Sequence, residues 1–233
     1  IPVQAPQYYI DRYIVRYDGG WHELREERLS RAVSLGILPD SAEMVRMSTT
    51  LSWSDLTAER QRYEAKRMAV YAGMIESMDA EIGRLLEYLK DKDQLDNTLF
   101  IFTSDNGAEG SGAQNPSDIA TQRMIASLGY TSDYETLGQR GSFNSISPGF
   151  TSAAVSPLAY YKFYAGEGGL RVPLIISGEP LGNVVRQTNA FAWATDIAAT
   201  ILSMAGAASP GSRYGGRPVL PITGKDLMPL IEG

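Results

Sequence analysis

One long stripe of apolar residues constrains the fold more than any other feature of the chain. From Met68 to Leu89, apolar side chains recur at alternating intervals of three and four residues, at Met68, Tyr71, Ile75, Met78, Ile82, Leu85 and Leu89. This spacing places them on one face of an amphipathic α-helix. Thr57 is a suitable N-cap with Glu59 in the first turn, and Lys90 favours the C-terminal dipole. We therefore predict a helix of about 34 residues, roughly 50 Å long, whose stripe packs in a core; a partner surface is the alternative.

A strand is predicted directly after this helix. Residues 99–103 form a short, continuously apolar run, which is typical of a central parallel strand covered on both faces. A second such run lies at 172–177, and residues 194–205 then repeat the helical spacing, with Gly206 at the C′ position. This alternation predicts an α/β fold with a mainly parallel or mixed central sheet flanked by helices.

The segment between the two predicted strands has a different composition. Residues 107–161 are rich in Gly, Ser, Asn and Pro, with a weak helical pattern only around Ile119 to Leu128. So long an irregular stretch inside a compact domain is usually functional or disordered. We interpret 107–161 as a long active-site loop region.

Composition excludes several classes of function. The 233 residues contain 21 Lys and Arg against 27 Asp and Glu, a net charge of −6, which argues against non-specific nucleic-acid binding. The absence of cysteine and the single histidine, His22, exclude a Cys–zinc centre and a multi-histidine metal site within these residues. No apolar run approaches the roughly 20 residues of a membrane span.

Asp105 and Asn106 are the first candidate site. They follow the predicted strand at 99–103, in the sequence Ser-Asp-Asn-Gly. In open α/β sheets ligands bind beyond the carboxyl ends of the strands. A carboxylate and an amide carbonyl are hard oxygen donors that suit Ca²⁺ or Mg²⁺, although Asp-Asn-Gly is also a common turn sequence.

Lys162 is the second candidate. It lies among aromatic residues and precedes Gly168 and Gly169, which allow the backbone to approach a ligand closely. As a point charge it could hold an oxyanion; the alternative is an ordinary surface lysine. Glu167 could orient Lys162 or cap a turn. For His22, an exposed position at the start of a charged helix is favoured over a catalytic role.

Taken together, several segments resemble the sulfatase family of the alkaline phosphatase superfamily, in its bacterial arylsulfatase type. The resemblance covers nearly the whole chain in order. The segments that carry it are Phe100–Gly110, Lys162 with Glu167–Pro173, Pro2–Pro6, Tyr17–Trp21, Thr195–Thr200 and Gly224–Leu230. Phe163 departs from the pattern, because a smaller residue is expected there.

The resemblance implies an alkaline-phosphatase-like fold that is incomplete at both ends, with residues 1–233 as part of a sulfatase catalytic domain. It implies that Asp105 and Asn106 ligate a divalent cation, usually calcium with magnesium possible, and that Lys162 contacts the sulfate ester and serves catalysis. The family's nucleophile, a formylglycine made in a Cys/Ser-x-Pro-x-Arg motif, has no counterpart here. We expect it in an N-terminal part that precedes this chain, so that the 233 residues alone are incomplete and inactive.

The expected activity is hydrolysis of sulfate monoesters of aryl or alkyl alcohols. Two alternatives remain open: a phosphonate or phosphate ester hydrolase of the same superfamily, and an inactive sulfatase-like binding module. The expected partner is a small sulfate ester, with no nucleic acid and no membrane span. The oligomeric state stays undetermined, and the compartment stays open between bacterial cytoplasm and periplasm.

Overall fold

The computed structural model describes residues 2–47, 50–110, 119–182 and 187–232. The chain divides into two compact units. The first comprises Ile1–Lys92 and Asn106–Leu174, and the second comprises Asp93–Asp105 and Ile175–Gly233.

The described residues form helices and short strands in alternation. The helices are α1 (Gln7–Asp11), α2 (Gly20–Ser34), α3 (Ala58–Asp91), α4 (Ile119–Ser127), α5 (Pro148–Ala154), α6 (Glu167–Leu170), α7 (Ala194–Met204) and α8 (Met228–Glu232). Single 3₁₀ turns lie at Trp53–Asp55, Leu95–Asn97, Tyr134–Thr136 and Glu179–Leu181. The strands are β1 (Phe100–Thr103), β2 (Leu174–Ser177), β3 (Arg213–Tyr214) and β4 (Arg217–Pro218). None of these helices is long and apolar enough to cross a membrane.

The long helix α3 confirms the periodicity argument. It has 34 residues, and the Thr57 hydroxyl accepts a hydrogen bond from the Arg60 N–H at 3.2 Å, which caps its first turn. The first half of its stripe is buried in the core, where Met68 packs with side chains of α2 and α5. Beyond Gly73 the stripe emerges: Ile75 and Met78 are exposed in the part of the chain that the structure describes. Core burial is therefore the wrong prediction for this second half, because α1, α2 and α5 cover only the first.

Aromatic side chains form the centre of the first unit. Trp21 of α2, Trp53 and Phe150 of α5 meet pairwise edge to face, with ring centroids 4.8–5.7 Å apart. This geometry brings the positive edge of one ring against the negative face of the next. A smaller cluster of Ile10, Val70 and Leu137 joins α1 to α3.

The region 107–161 is more ordered than its composition indicates. It contains α4, which confirms the weak helical pattern, and α5, which begins at Pro148, directly after Ser147. Its side chains Leu137, Ile146 and Phe150 are buried in the first unit. The described part, 107–110 and 119–161, thus supplies core as well as loop; residues 111–118 lie outside the described residues. A role in the active site remains a prediction.

The second unit contains the first predicted strand, the second from Ile175 onward, and the helix that follows it, α7. Strands β1 and β2 pair with each other in a two-stranded sheet, and α7 ends before Gly206, whose φ of +62° is the left-handed conformation expected at C′. The strands are where the apolar runs predict them. Their side chains are half-buried or exposed, however, since only these two strands form this sheet in the described residues. A larger central sheet stays a prediction.

Candidate functional site

Asp105 and Asn106 occupy the bend directly after β1. Asp105 is exposed, and it ends its segment of the second unit. Asn106 is half-buried, begins the next segment of the first unit, and donates an amide hydrogen bond to the Gly107 carbonyl at 2.9 Å. With the amide nitrogen bonded in this way, the carbonyl oxygen of Asn106 is the atom that a cation would contact. In the described residues, no group of three or more histidine and acidic side chains is close enough to hold a metal ion.

The backbone after Asn106 packs directly against the segment that contains Lys162. Gly107 donates to the Gly169 carbonyl at 2.9 Å, and Lys162 donates its backbone N–H to the Ala108 carbonyl at 3.0 Å. A Cβ atom at Gly107 would lie 1.8 Å from the Gly168 carbonyl oxygen. Only glycine fits there, so two backbone segments approach each other closely with glycines on both sides. The predicted approach of Gly168 and Gly169 to a ligand stays a prediction.

A second set of contacts holds the same two segments to the helical core. The Thr151 hydroxyl on α5 donates to the Glu109 carbonyl at 3.2 Å. The buried Arg25 of α2 donates to the carbonyls of Val45 and Ser152 and, at 3.3 Å, to that of Leu158, which lies four residues before Lys162. Burial lowers the pKa of Arg25, but four backbone carbonyls within reach solvate its charge.

The Lys162 ammonium lies beside an acidic side chain that the sequence reasoning missed. Its Nζ is 3.6 Å from Glu109 Oε2 and 5.4 Å from the centre of the Phe163 ring. Lys162 and Glu109 side chains are 34% and 39% exposed, so the ammonium is accessible to a ligand while a carboxylate is near it. Glu167, considered as the orienting residue, instead begins α6 and pairs with Arg171 at 2.8 Å.

Tyr161 and His22 are two further titratable side chains of the first unit. Tyr161 is buried, and its burial, the neighbouring Tyr164 and the Glu109 carboxylate raise its pKa, so its hydroxyl keeps its proton at neutral pH. His22 is exposed on α2, as predicted, with its ring beside that of Trp21.

The second unit has a separate cleft of about 520 Å³ at the start of α7. Phe191 and Trp193 line it, with ring centroids 4.9 Å apart, together with Lys225. The buried Asp196 beneath them accepts backbone hydrogen bonds from Trp193 and Lys225, both at 2.8 Å. These two bonds lower the pKa of Asp196. Asp196 therefore caps α7 and fastens a distant segment to it.

Comparisons with known proteins agree on one family. The family model described as Sulfatase matches residues 1–207. An uncharacterized sulfatase of Schizosaccharomyces pombe is 38% identical over 226 residues, 96% of this chain and 40% of that protein. An arylsulfatase of Klebsiella aerogenes is 34% identical over 233 residues, 97% of this chain and 48% of that protein. Human steryl-sulfatase is 27% identical over 164 residues, 70% of this chain and 22% of that protein. The chain thus spans less than half the length of these relatives.

Proposed function

This chain belongs to the sulfatase family, and from that membership we propose that the protein hydrolyses sulfate monoesters. The observation that carries the proposal is the accessible Lys162 ammonium, held by backbone contacts beside the segment Gly107–Glu109 of the same unit. The oxygens of a sulfate ester carry negative charge, and more develops on the oxygen of the leaving alcohol as the sulfuryl group is transferred. A fixed ammonium stabilises that charge, since it needs no reorganisation during the reaction.

In this proposal Lys162 binds the sulfate oxygens and Glu109 keeps the ammonium in place. Asp105 and Asn106 would hold a divalent cation, calcium or magnesium, which supplies further neutralisation of charge on the ester. The carboxylate and amide oxygens are donors of the right chemistry, but two residues are fewer than the six to eight oxygens that calcium prefers. Further ligands would therefore come from elsewhere in the whole protein.

The nucleophile would also come from elsewhere. No Cys/Ser-x-Pro-x-Arg motif occurs in the 233 residues, so the formylglycine that the family resemblance implies has no position in this chain. We expect the chain by itself to turn over no sulfate ester. We also propose that β1 and β2 are two strands of a larger, mainly parallel or mixed central sheet, which would cover the side chains that are exposed here.

The test is a pair of assays on the full-length protein, with 4-nitrophenyl sulfate and 4-nitrophenyl phosphate measured side by side. We expect Lys162→Ala to lower kcat/KM for the sulfate by about 10²- to 10³-fold, the usual loss when one charge-stabilising donor is removed. Lys92→Ala is the matched control, because Lys92 also lies over an aromatic ring, 5.7 Å from that of Tyr88.

Three results contradict the proposal. A wild-type preference for the phosphate supports a phosphate or phosphonate ester hydrolase. Hydrolysis of neither ester supports a binding module. Equal losses in Lys162→Ala and Lys92→Ala remove Lys162 from the site.

A further inference from the structure

Three exposed aromatic side chains flank Lys162 in the sequence. Tyr160, Phe163 and Tyr164, which we call the aromatic rim, lie within five residues of one another. The rings of Tyr160 and Tyr164 are 5.6 Å apart, and the Lys162 ammonium lies 5.4 Å from the centre of the Phe163 ring. The rim therefore presents one ring, that of Phe163, next to the cation that the proposed function assigns to sulfate, and two further exposed rings on the same short segment.

The backbone of the rim is strained at two of its three residues. Tyr160 has a φ of +63° and Phe163 a φ of +78°, the left-handed region that bulky residues avoid and glycine adopts readily. Tyr160 gains packing in return, since its Cβ lies close over Gly166. Phe163 gains little, because its side chain is 74% exposed.

A large ring that is both strained and exposed does not serve stability. Backbone strain of this kind is concentrated at ligand-binding sites, where a correctly placed side chain is worth the cost of the strain in folding stability. The Phe163 ring also sits beside the cation that the proposed function assigns to sulfate.

We propose that Phe163, with Tyr160 and Tyr164, is the specificity-determining surface that contacts the alcohol half of the ester and selects flat, apolar alcohols over hydroxyl-rich sugars. This inference rests on the proposed function, because it takes Lys162 as the contact for sulfate. The alcohol is covalently joined to the sulfate and must therefore lie within a few ångströms of Lys162, where the Phe163 ring is. That ring stacks on flat apolar groups and offers the hydroxyls of a sugar no hydrogen bond.

The test uses the full-length protein with two sulfate esters, 4-nitrophenyl sulfate and N-acetylglucosamine 6-sulfate. We expect Phe163→Ala to raise KM for the aryl ester by about 3- to 10-fold, the usual worth of one aromatic contact, with kcat and the sugar ester little changed. Phe163→Tyr, which keeps the ring, should restore the wild-type KM. Tyr8→Ala is the matched control, since Tyr8 is 70% exposed on α1 and also contacts a neighbouring ring.

Stability provides an independent check on the variants. Phe163→Gly should unfold at the same or a higher temperature than the wild type, because glycine relieves the strain at φ +78°. A loss of aryl-ester affinity in that variant then has no origin in misfolding. The proposal is overturned if Phe163→Ala leaves both KM values unchanged or shifts both esters equally.

Failure of the proposed function gives a different result from failure of the rim. A wild-type protein that hydrolyses neither ester contradicts the proposed function alone. The rim is then tested by titration calorimetry with 4-nitrophenyl sulfate, whose Kd Phe163→Ala must raise by the same 3- to 10-fold. An unchanged Kd, or no measurable binding to the wild type, refutes the rim.

Discussion

The carboxylate of Glu64 offers the sharpest test of what stabilises the first unit. Its side chain is 1% exposed in the second turn of α3 and lies 2.6 Å from Arg60 and 3.1 Å from Arg67, whose side chain is 3% exposed. Replacing Glu64 by alanine leaves the Arg67 guanidinium buried without its counter-ion. Breaking a buried pair in this way costs about 3–5 kcal/mol. At about 2–4 °C per kcal/mol for a chain of this length, the melting temperature should fall by roughly 6–20 °C.

The same helix provides a matched control. Glu81 pairs with Arg84 at the same three-residue spacing, 2.7 Å apart, but these side chains are 62% and 74% exposed. Water already solvates both charges, so Glu81→Ala should cost about 0–1 kcal/mol, or at most roughly 4 °C. Thermal unfolding followed by circular dichroism measures both variants under the same conditions.

A double variant separates charge from packing. Glu64→Leu combined with Arg67→Met removes both buried charges and keeps apolar volume, and such replacements are often neutral or stabilising. The double variant should therefore melt closer to the wild type than Glu64→Ala does. Equal melting temperatures for Glu64→Ala and Glu81→Ala would refute the reasoning.

Four further predictions concern the candidate site and the second unit. Asp105→Ala in the full-length protein should lower both bound calcium, measured by elemental analysis, and kcat/KM; normal values of both would remove it from the metal site. Glu109→Gln should lower kcat/KM by about 10-fold through a less well-fixed Lys162, with partial rescue by Glu109→Asp, and an unchanged value would mean that the ion pair positions nothing. Gly107→Ala should reduce soluble yield and activity, because its Cβ would lie 1.8 Å from a backbone oxygen; a fully active Gly107→Ala protein argues against the close packing. The pKa of Asp196 is lowered in the folded protein, so its stabilising effect is fully present above about pH 4 and is lost as the pH falls through the folded-state pKa. In Asp196→Asn, the urea concentration at the unfolding midpoint should therefore fall less steeply between about pH 4 and lower pH than in the wild type. An unaltered slope would contradict this role of Asp196.

Local signals in the sequence predicted the elements better than their surroundings. The period of the α3 stripe and the Thr57 cap gave a helix with the observed length, because both signals act over a few residues. What covers a helix or strand depends on distant segments. The emergence of Ile75 and Met78 from the core, and the exposed sides of β1 and β2, therefore could not be predicted from apolar runs alone.

The region 107–161 shows the converse error. Its abundant Gly, Ser and Pro indicated a loop, yet it contributes Phe150 to the centre of the first unit. A usable signal was present in Ser147-Pro148, since proline is favoured at the first position of a helix and serine just before it. The helix that follows, α5, is only seven residues long, too short for periodicity to reveal.

For the candidate site, too, local motifs were recognised and contacts between distant segments were missed. Asp105, Asn106 and Lys162 were chosen from motifs and from the resemblance, and their assignment to metal and sulfate stays a prediction. Glu109 was missed as the neighbour of Lys162 because the two are far apart in sequence and are brought together by backbone contacts between their segments. Glycines at 107, 168 and 169 permit those contacts. The sequence analysis singled out only the pair at 168 and 169, and for approach to a ligand.

The glycine-to-glycine contact between the Gly107 and Gly169 segments has a consequence for re-engineering the proposed site. The backbone of Lys162 is placed by main-chain hydrogen bonds between segments that pack closely at their glycines, and only its ammonium depends on a neighbouring side chain, Glu109. A library that randomises positions 160, 163 and 164 can therefore vary the proposed contacts to the alcohol while the backbone position of Lys162 is retained. The contacts that place Lys162 are thus made by other residues than those proposed to select the alcohol.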